Sequence, residues 1–258
     1  MWVDSHCHLD HFEGEDQVRV VWRAVEAGVS HMVTIGTRVA QAESVKAIAE
    51  RYPEVWGTVG VHPHNAGEAP MPTVAEQVAL ADHPRIIGLG ESGLDFFYDK
   101  APRDAQREGF RRHIRAAREA GLPLVIHARD ADAEIAGILA EERAAGGGFA
   151  FLLHCFSSGP ELARQAVAMG GYISFSGILT FPRSQELRDL ARDLPEERLL
   201  VETDSPYLAP VPHRGKPCEP GFTALTGAVL AAARGVEAAR LADITTANFR
   251  RLFPRAGL

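Results

Sequence analysis

The sequence predicts an α/β chain folded as a TIM-type (β/α)8 barrel. Short apolar runs alternate with amphipathic helical stretches from one end to the other. Strands alternating with helices of this length imply βαβ units and a parallel sheet. The unit recurs eight times, which favours a closed barrel over a doubly wound sheet. No Gly-x-Gly-x-x-Gly follows the first strand, so a dinucleotide-binding reading is disfavoured.

The elements follow in order. The first strand is expected at Trp2–Cys7 and runs into His8. Side chains alternate along a strand, so His6 and His8 share one face and Cys7 takes the other. Two imidazoles so placed can chelate an ion, although paired histidines also act as caps and hydrogen-bonding groups. A helix over 15–27 closes at Gly28, and the second strand covers Ser30–Ile35. A helix over 38–51 leads to a strand at Val55–Val61, followed by His62-Pro63-His64. His62 before a proline fits a loop hydrogen bond as well as a functional role. A helix over 73–83 and a strand at Ile86–Gly90 deliver Glu91-Ser92-Gly93-Leu94-Asp95. The helix over 103–120 has Pro102 for its first turn and Gly121 for its end, and the strand Leu122–Ile126 leads to His127-Ala128-Arg129. The helix over 130–145 and the tight loop Gly146-Gly147-Gly148 precede Phe149–Leu153 and His154-Cys155-Phe156. The helix over 159–169 ends at Gly170, before Gly171–Phe175. A helix over 184–193 precedes the strand Leu199–Glu202 and then Thr203-Asp204-Ser205-Pro206; helices over 222–234 and 238–250 complete the pattern.

With 258 residues, 46% of them hydrophobic, the chain can form one large core and is read as a single domain over 1–258. A net charge of −7 provides no global attraction for nucleic acid. Such a partner would need a local basic patch or bound cations. Asp4, His6 and His8 interrupt the start too early for a signal peptide, and no apolar run reaches the roughly 18 residues of a membrane span. Cys7, Cys155 and Cys218 do not make a disulfide framework. The expectation is a reducing, cytoplasmic location with no membrane and no obligate protein partner.

Six of the eight expected strands carry His, Glu or Asp at their C-terminal ends, where barrel enzymes assemble their sites. Four imidazoles and two carboxylates match the ligands of one or two divalent ions. Each residue also has an ordinary explanation. His127 and His154 fit satisfied core histidines, and Glu91 and Asp204 fit helix N-caps. Their common placement at one end favours the metal centre. His11, His31, His64, His83, His113 and His213 are left as mostly surface or loop residues.

The segments Asp4-Ser5-His6-Cys7-His8-Leu9-Asp10, Gly60-Val61-His62-Pro63-His64, Gly90-Glu91-Ser92-Gly93-Leu94-Asp95, His127-Ala128-Arg129-Asp130-Ala131, His154-Cys155-Phe156-Ser157, Phe175-Ser176-Gly177 and Glu202-Thr203-Asp204-Ser205-Pro206-Tyr207-Leu208 together resemble the TatD family of metal-dependent hydrolases, often called TatD-type deoxyribonucleases. The likeness extends to Thr246-Ala247-Asn248-Phe249 and so covers nearly the whole chain. It implies an amidohydrolase-like barrel with a divalent-metal centre held by His6, His8, Glu91, His127, His154 and Asp204. It also implies His62 and Glu202 as further site residues, for another metal or the substrate phosphate.

On that basis the expected cofactor is two divalent ions, with magnesium, manganese and zinc all compatible with mixed His and carboxylate ligands. Glu91 is expected to bridge them. His6, His8 and Asp204 complete one site, with His127 and His154 on the other. Asp204 is also the candidate acceptor of a proton from a metal-activated water, and Glu202 is either catalytic or a partner that orients a ligand. Lys46, Lys100 and Lys216 do not end a strand, which disfavours a carboxylated-lysine centre. Arg129, Arg183, Arg214 and Lys216 are candidate phosphate contacts, and Phe96, Phe97, Tyr98 and Tyr207 candidate stacking groups for bases; each also fits an ordinary loop anchor. The expected activity is a deoxyribonuclease working 3'-5' on single strands or ends of DNA. The alternative is a barrel hydrolase of a cyclic amide, lactone or aminoacyl ester.

Overall fold

In the computed structural model, which describes residues 1–68 and 70–257, eight strands form one parallel sheet in sequential order: β1 (Trp2–Cys7), β2 (Val29–Ile35), β3 (Val55–Val59), β4 (Ile86–Asp95), β5 (Leu124–Arg129), β6 (Phe151–Leu153), β7 (Tyr172–Phe175) and β8 (Leu199–Val201). Helices α1 (Gly14–Glu26), α2 (Ala42–Arg51), α3 (Val74–Leu80), α4 (Arg103–Ala120), α5 (Asp132–Gly146), α6 (Pro160–Ala168), α7 (Gln185–Asp193), α8 (Thr223–Arg234) and α9 (Ala238–Leu252) pack outside it. The fold is the expected TIM-type barrel. No helix among the described residues is long and apolar enough to cross a membrane.

The barrel closes between β1 and β8 by few bonds. The amide of His8 donates to the Ser205 carbonyl at 2.8 Å and that of Asp204 to the His6 carbonyl at 2.9 Å. A side chain reinforces this seam. Asp4, fully buried, accepts from the Thr203 amide at 2.9 Å and from the Thr203 hydroxyl at 2.6 Å.

Two apolar layers are built from opposite faces of the strands. Val3, Val33, Ile35, Ile87, Val125, Leu152 and Leu200 pack inside, where Phe249, Leu252 and Phe253 of the last helix and its end join them. A second, larger cluster lies between sheet and helices and includes Cys7, Met32, Leu89, Phe110 and Ile126. Val3 and Cys7 have the same strand parity yet belong to different layers. The β1–β2 pairing slips between Asp4 and Cys7, and a one-residue slip exchanges the faces of a strand. That slip places His6 on the inner side with Val3.

Helix limits differ from the sequence reading by a few residues, and Gly121 closes α4 in the left-handed conformation (φ 64°). The largest difference is in β4, which continues through the expected loop to Asp95. It can do so because it lies hard against β5. A Cβ at Gly93 (φ 148°) would stand 2.0 Å from the His127 carbonyl oxygen, so only glycine fits.

Candidate metal centre

At the C-terminal end of the barrel, a cavity of about 970 Å³ has His8, His62, Glu91, His127, His154 and Asp204 among its walls. β1 contributes His6, with His8 just past its end, β4 contributes Glu91, and β5 contributes His127. His154 follows β6 directly, and Asp204 lies three residues beyond β8. Asp204 adopts left-handed backbone (φ 59°), which aspartate tolerates better than most residues.

Two donor groups face each other across Glu91. In the first, His6 Nε2, His8 Nε2 and Asp204 Oδ1 are separated by 3.3, 3.5 and 3.4 Å, and Glu91 Oε2 lies 3.4 Å from His6 Nε2. In the second, Glu91 Oε1 lies 2.7 Å from His154 Nε2, 3.0 Å from His127 Nδ1 and 3.3 Å from His62 Nε2. The first spacing fits a cation. Donors bonded to one ion at about 2.1 Å in a tetrahedron stand about 3.4 Å apart. The buried His6 Nδ1 and Glu202 Oε2 have no hydrogen-bond partner among the described residues.

The far ring nitrogens of the histidines have different partners. His127 directs Nε2 to Asp95 Oδ2 at 3.2 Å and His154 directs Nδ1 to Glu202 Oε1 at 3.2 Å. Each carboxylate takes the ring N–H and leaves the other nitrogen's lone pair for the cavity, the usual arrangement behind a metal-binding histidine. His62 is wired oppositely. Its Nδ1 accepts the His64 amide at 3.0 Å, so the neutral ring carries its proton on Nε2 and offers Glu91 a donor.

Electrostatics do not follow that division: burial alone would lower His127 and His154, but Asp95 and Glu91 raise the first ring and Glu91 and Glu202 the second. Burial alone would raise the Glu91 carboxyl, but His154, His62 and His127 outweigh it and hold it well below the usual carboxylate range. Asp204 is likewise lowered, with burial opposed by the hydrogen bond from His8 and the proximity of His6 and His154. Burial pushes His62 down to about 4 and also lowers His6, so both rings stay neutral near pH 7.

Other expected contacts divide by position. Arg129 and Tyr207 wall the cavity, as do Tyr98 and Lys100. Phe97 is exposed and sits on the Arg129 side, with the Arg129 guanidinium carbon 4.4 Å from its ring centre. Arg214 is not brought to this cavity; it lies with Arg183 in a separate groove of about 450 Å³. Two histidines left as surface or loop residues are structural or functional instead. His113 is fully buried, its Nε2 accepting the Val61 amide at 3.0 Å. His64 reaches Asp95 Oδ2 at 2.7 Å in the cavity wall. Asp95 received no role from the sequence, because β4 was expected to stop at Gly90. Its strand parity with Glu91 was the signal available.

Known proteins share this arrangement of strands and motifs. The family described as "TatD related DNase" matches residues 3–254. The chain belongs to the TatD family. It is a metal-dependent hydrolase. The Escherichia coli K12 protein named "Uncharacterized metal-dependent hydrolase YcfH" is 40% identical over 256 residues, covering 97% of this chain and 95% of that protein. The protein named "3'-5' ssDNA/RNA exonuclease TatD" from Citrobacter koseri is 36% identical over 246 residues, covering 93% of each. Among solved structures, the TatD homolog YJJV from Escherichia coli K12 superposes with a TM-score of 0.88 at 27% identity, covering 98% of both chains. The chain therefore shares its fold with this solved relative over nearly its full length.

Proposed function

We propose that this TatD protein is a two-metal phosphodiesterase that removes nucleotides 3'-5' from single-stranded DNA. The observation that carries this reading is the division of Glu91, one oxygen toward His6, His8 and Asp204 and the other toward His127 and His154. A carboxylate so placed suits two cations sharing one bridge. The relatives named as ssDNA/RNA exonucleases support the substrate class and the direction. The three free thiols accord with a reducing, cytoplasmic setting.

His6, His8, Asp204 and Glu91 would hold one ion, and His127, His154 and Glu91 the other. When bound, the pair supplies an activated water and relieves charge on the phosphate. The protein's own groups do the rest. Asp204 is ionised and at the cavity wall, so its free oxygen accepts the proton of the attacking water. His62 donates its Nε2–H to Glu91 and holds that carboxylate in place. Glu202 and Asp95 keep His154 and His127 in the tautomers described. Arg129 meets the phosphate backbone, while Tyr207 and Phe97 offer faces to unstacked bases.

The test is cleavage of an end-labelled single-stranded oligonucleotide with Mg²⁺, Mn²⁺ or Zn²⁺, with and without chelator. Metal-dependent shortening from the 3' end, lost in Asp204→Asn while that variant stays folded, is expected. An absence of cleavage with every ion would overturn the nuclease reading.

A further inference from the structure

Arg183 and Arg214 share a groove with Phe181, Pro182 and Ser184 beside the central cavity. Most arginines in this chain are tied to carboxylates or carbonyls, for example Arg23 to Glu219 and Arg188 to the Leu179 and Phe181 carbonyls. Arg183 and Arg214 make no ion pair or side-chain hydrogen bond among the described residues. Arg129, at the cavity, is free in the same sense. The remaining free arginines, Arg51, Arg164 and Arg250, sit on outer helices α2, α6 and α9. Unpaired guanidinium groups at the functional end of the barrel are thus confined to the cavity and this groove.

The two spaces are built on the same two loops. Ile178 and Leu208 wall the cavity, while Phe181 and Arg214, a few residues further along each loop, wall the groove. The loops are joined: the Val211 amide donates to Thr180 Oγ1 at 2.9 Å, and Gly177 packs so closely on the Leu208 carbonyl that a Cβ would approach it to 2.0 Å. The Arg214 guanidinium carbon lies 4.6 Å from the Phe181 ring centre. Free cations beside an aromatic face are the elements of a track for single-stranded nucleic acid, where charge follows the backbone and rings take bases. On a chain of net charge −7, recruitment of a polyanion must come from such local features.

We infer that the Arg183–Arg214 groove is a second subsite, binding phosphodiesters of the strand beyond the nucleotides in the cavity. The inference rests on the nucleic-acid reading above. The groove makes affinity depend on substrate length, since a mononucleotide in the cavity cannot also occupy it.

The experiment measures anisotropy of a fluorescein-labelled, phosphorothioate-linked single-stranded oligodeoxynucleotide on the Mg²⁺-loaded protein across a salt series. For R183A/R214A we expect weaker binding and a log–log salt slope shallower by about 1.4, at about 0.7 per lost phosphate contact on single strands. Thymidine monophosphate should compete equally against both proteins once the difference in oligonucleotide affinity is taken into account. The surface control R164A/R250A should keep the wild-type slope. Equal slopes for wild type and R183A/R214A would overturn the subsite, as would an equal loss in the control, which would mark bulk charge. Loss of slope alongside failure of the wild-type protein to cleave the unmodified oligonucleotide would sink the nuclease reading and leave the groove. No binding by the wild-type protein would sink both.

Discussion

Asp4 grips Thr203 with both carboxylate oxygens, taking its amide at 2.9 Å and its hydroxyl at 2.6 Å. Both residues stand beside candidate ligands in sequence: Asp4 lies two residues before His6, and Thr203 immediately precedes Asp204. The clamp fixes Asp204 against His6, the last and first candidate ligands, at the barrel's closing seam.

Asp4→Ala leaves the Thr203 amide and hydroxyl without a partner in a dry environment, at a cost of about 2–3 kcal/mol. The expected result is a lower urea midpoint for the metal-free protein together with weaker metal binding. Urea unfolding and a metal titration check it. Unchanged metal affinity in a destabilised variant would remove Asp4 from any part in placing Asp204.

Glu202 Oε1 receives the His154 ring and the Cys155 amide at 3.2 and 2.8 Å. Glu202→Ala frees the ring to turn and removes its tautomer partner. Metal affinity should fall about 10–100-fold, the usual effect of losing such a support. Calorimetry of metal binding measures this. A complete loss of one ion would instead make Glu202 a direct ligand.

His62→Ala should lower turnover while leaving metal content unchanged, because its proton is on the nitrogen that faces Glu91. Elemental analysis after dialysis, run beside single-turnover kinetics, separates the possibilities. Loss of a metal ion from this variant would show that His62 coordinates it.

His113 supplies a pH signature away from the centre. Burial pushes its imidazole down to about 4 from 6.5, so the folded state favours the neutral ring. Between those values the unfolded chain binds the extra proton, and stability rises with pH. The contribution is complete above about pH 6.5 and fades as pH falls toward 4, amounting to about 3 kcal/mol. Urea midpoints across this range should fall more steeply for the wild-type protein than for His113→Gln. Parallel curves would assign the acid sensitivity to other groups.

The barrel was legible in the sequence because each strand was a short apolar run bounded by turn residues, and because the polar residues followed those runs. His8, Glu91, His127, His154 and Asp204, picked out by that placement, line one cavity, with His6 buried against them. Asp95 and His64 were missed because Gly90 and Gly93 look like loop residues, whereas they permit β4 to press on β5. His113 was missed because its partner, the Val61 amide, comes from a distant strand end that helix periodicity does not reveal. The separation of Arg214 from Arg129 depends on loop paths, which residue types do not encode locally.

The seam between β1 and β8 also orders events during synthesis. The potential ligands run from His6 to Asp204, so a chain emerging from the ribosome holds the two-histidine pair long before it has the carboxylate that faces it. The inner layer also waits for Phe249 and Phe253, which follow Asp204 in the sequence. Assembly of the complete set therefore waits for Asp204 and for the helix that carries Phe249, and a chain stopped before Asp204 lacks the carboxylate that faces the His6–His8 pair.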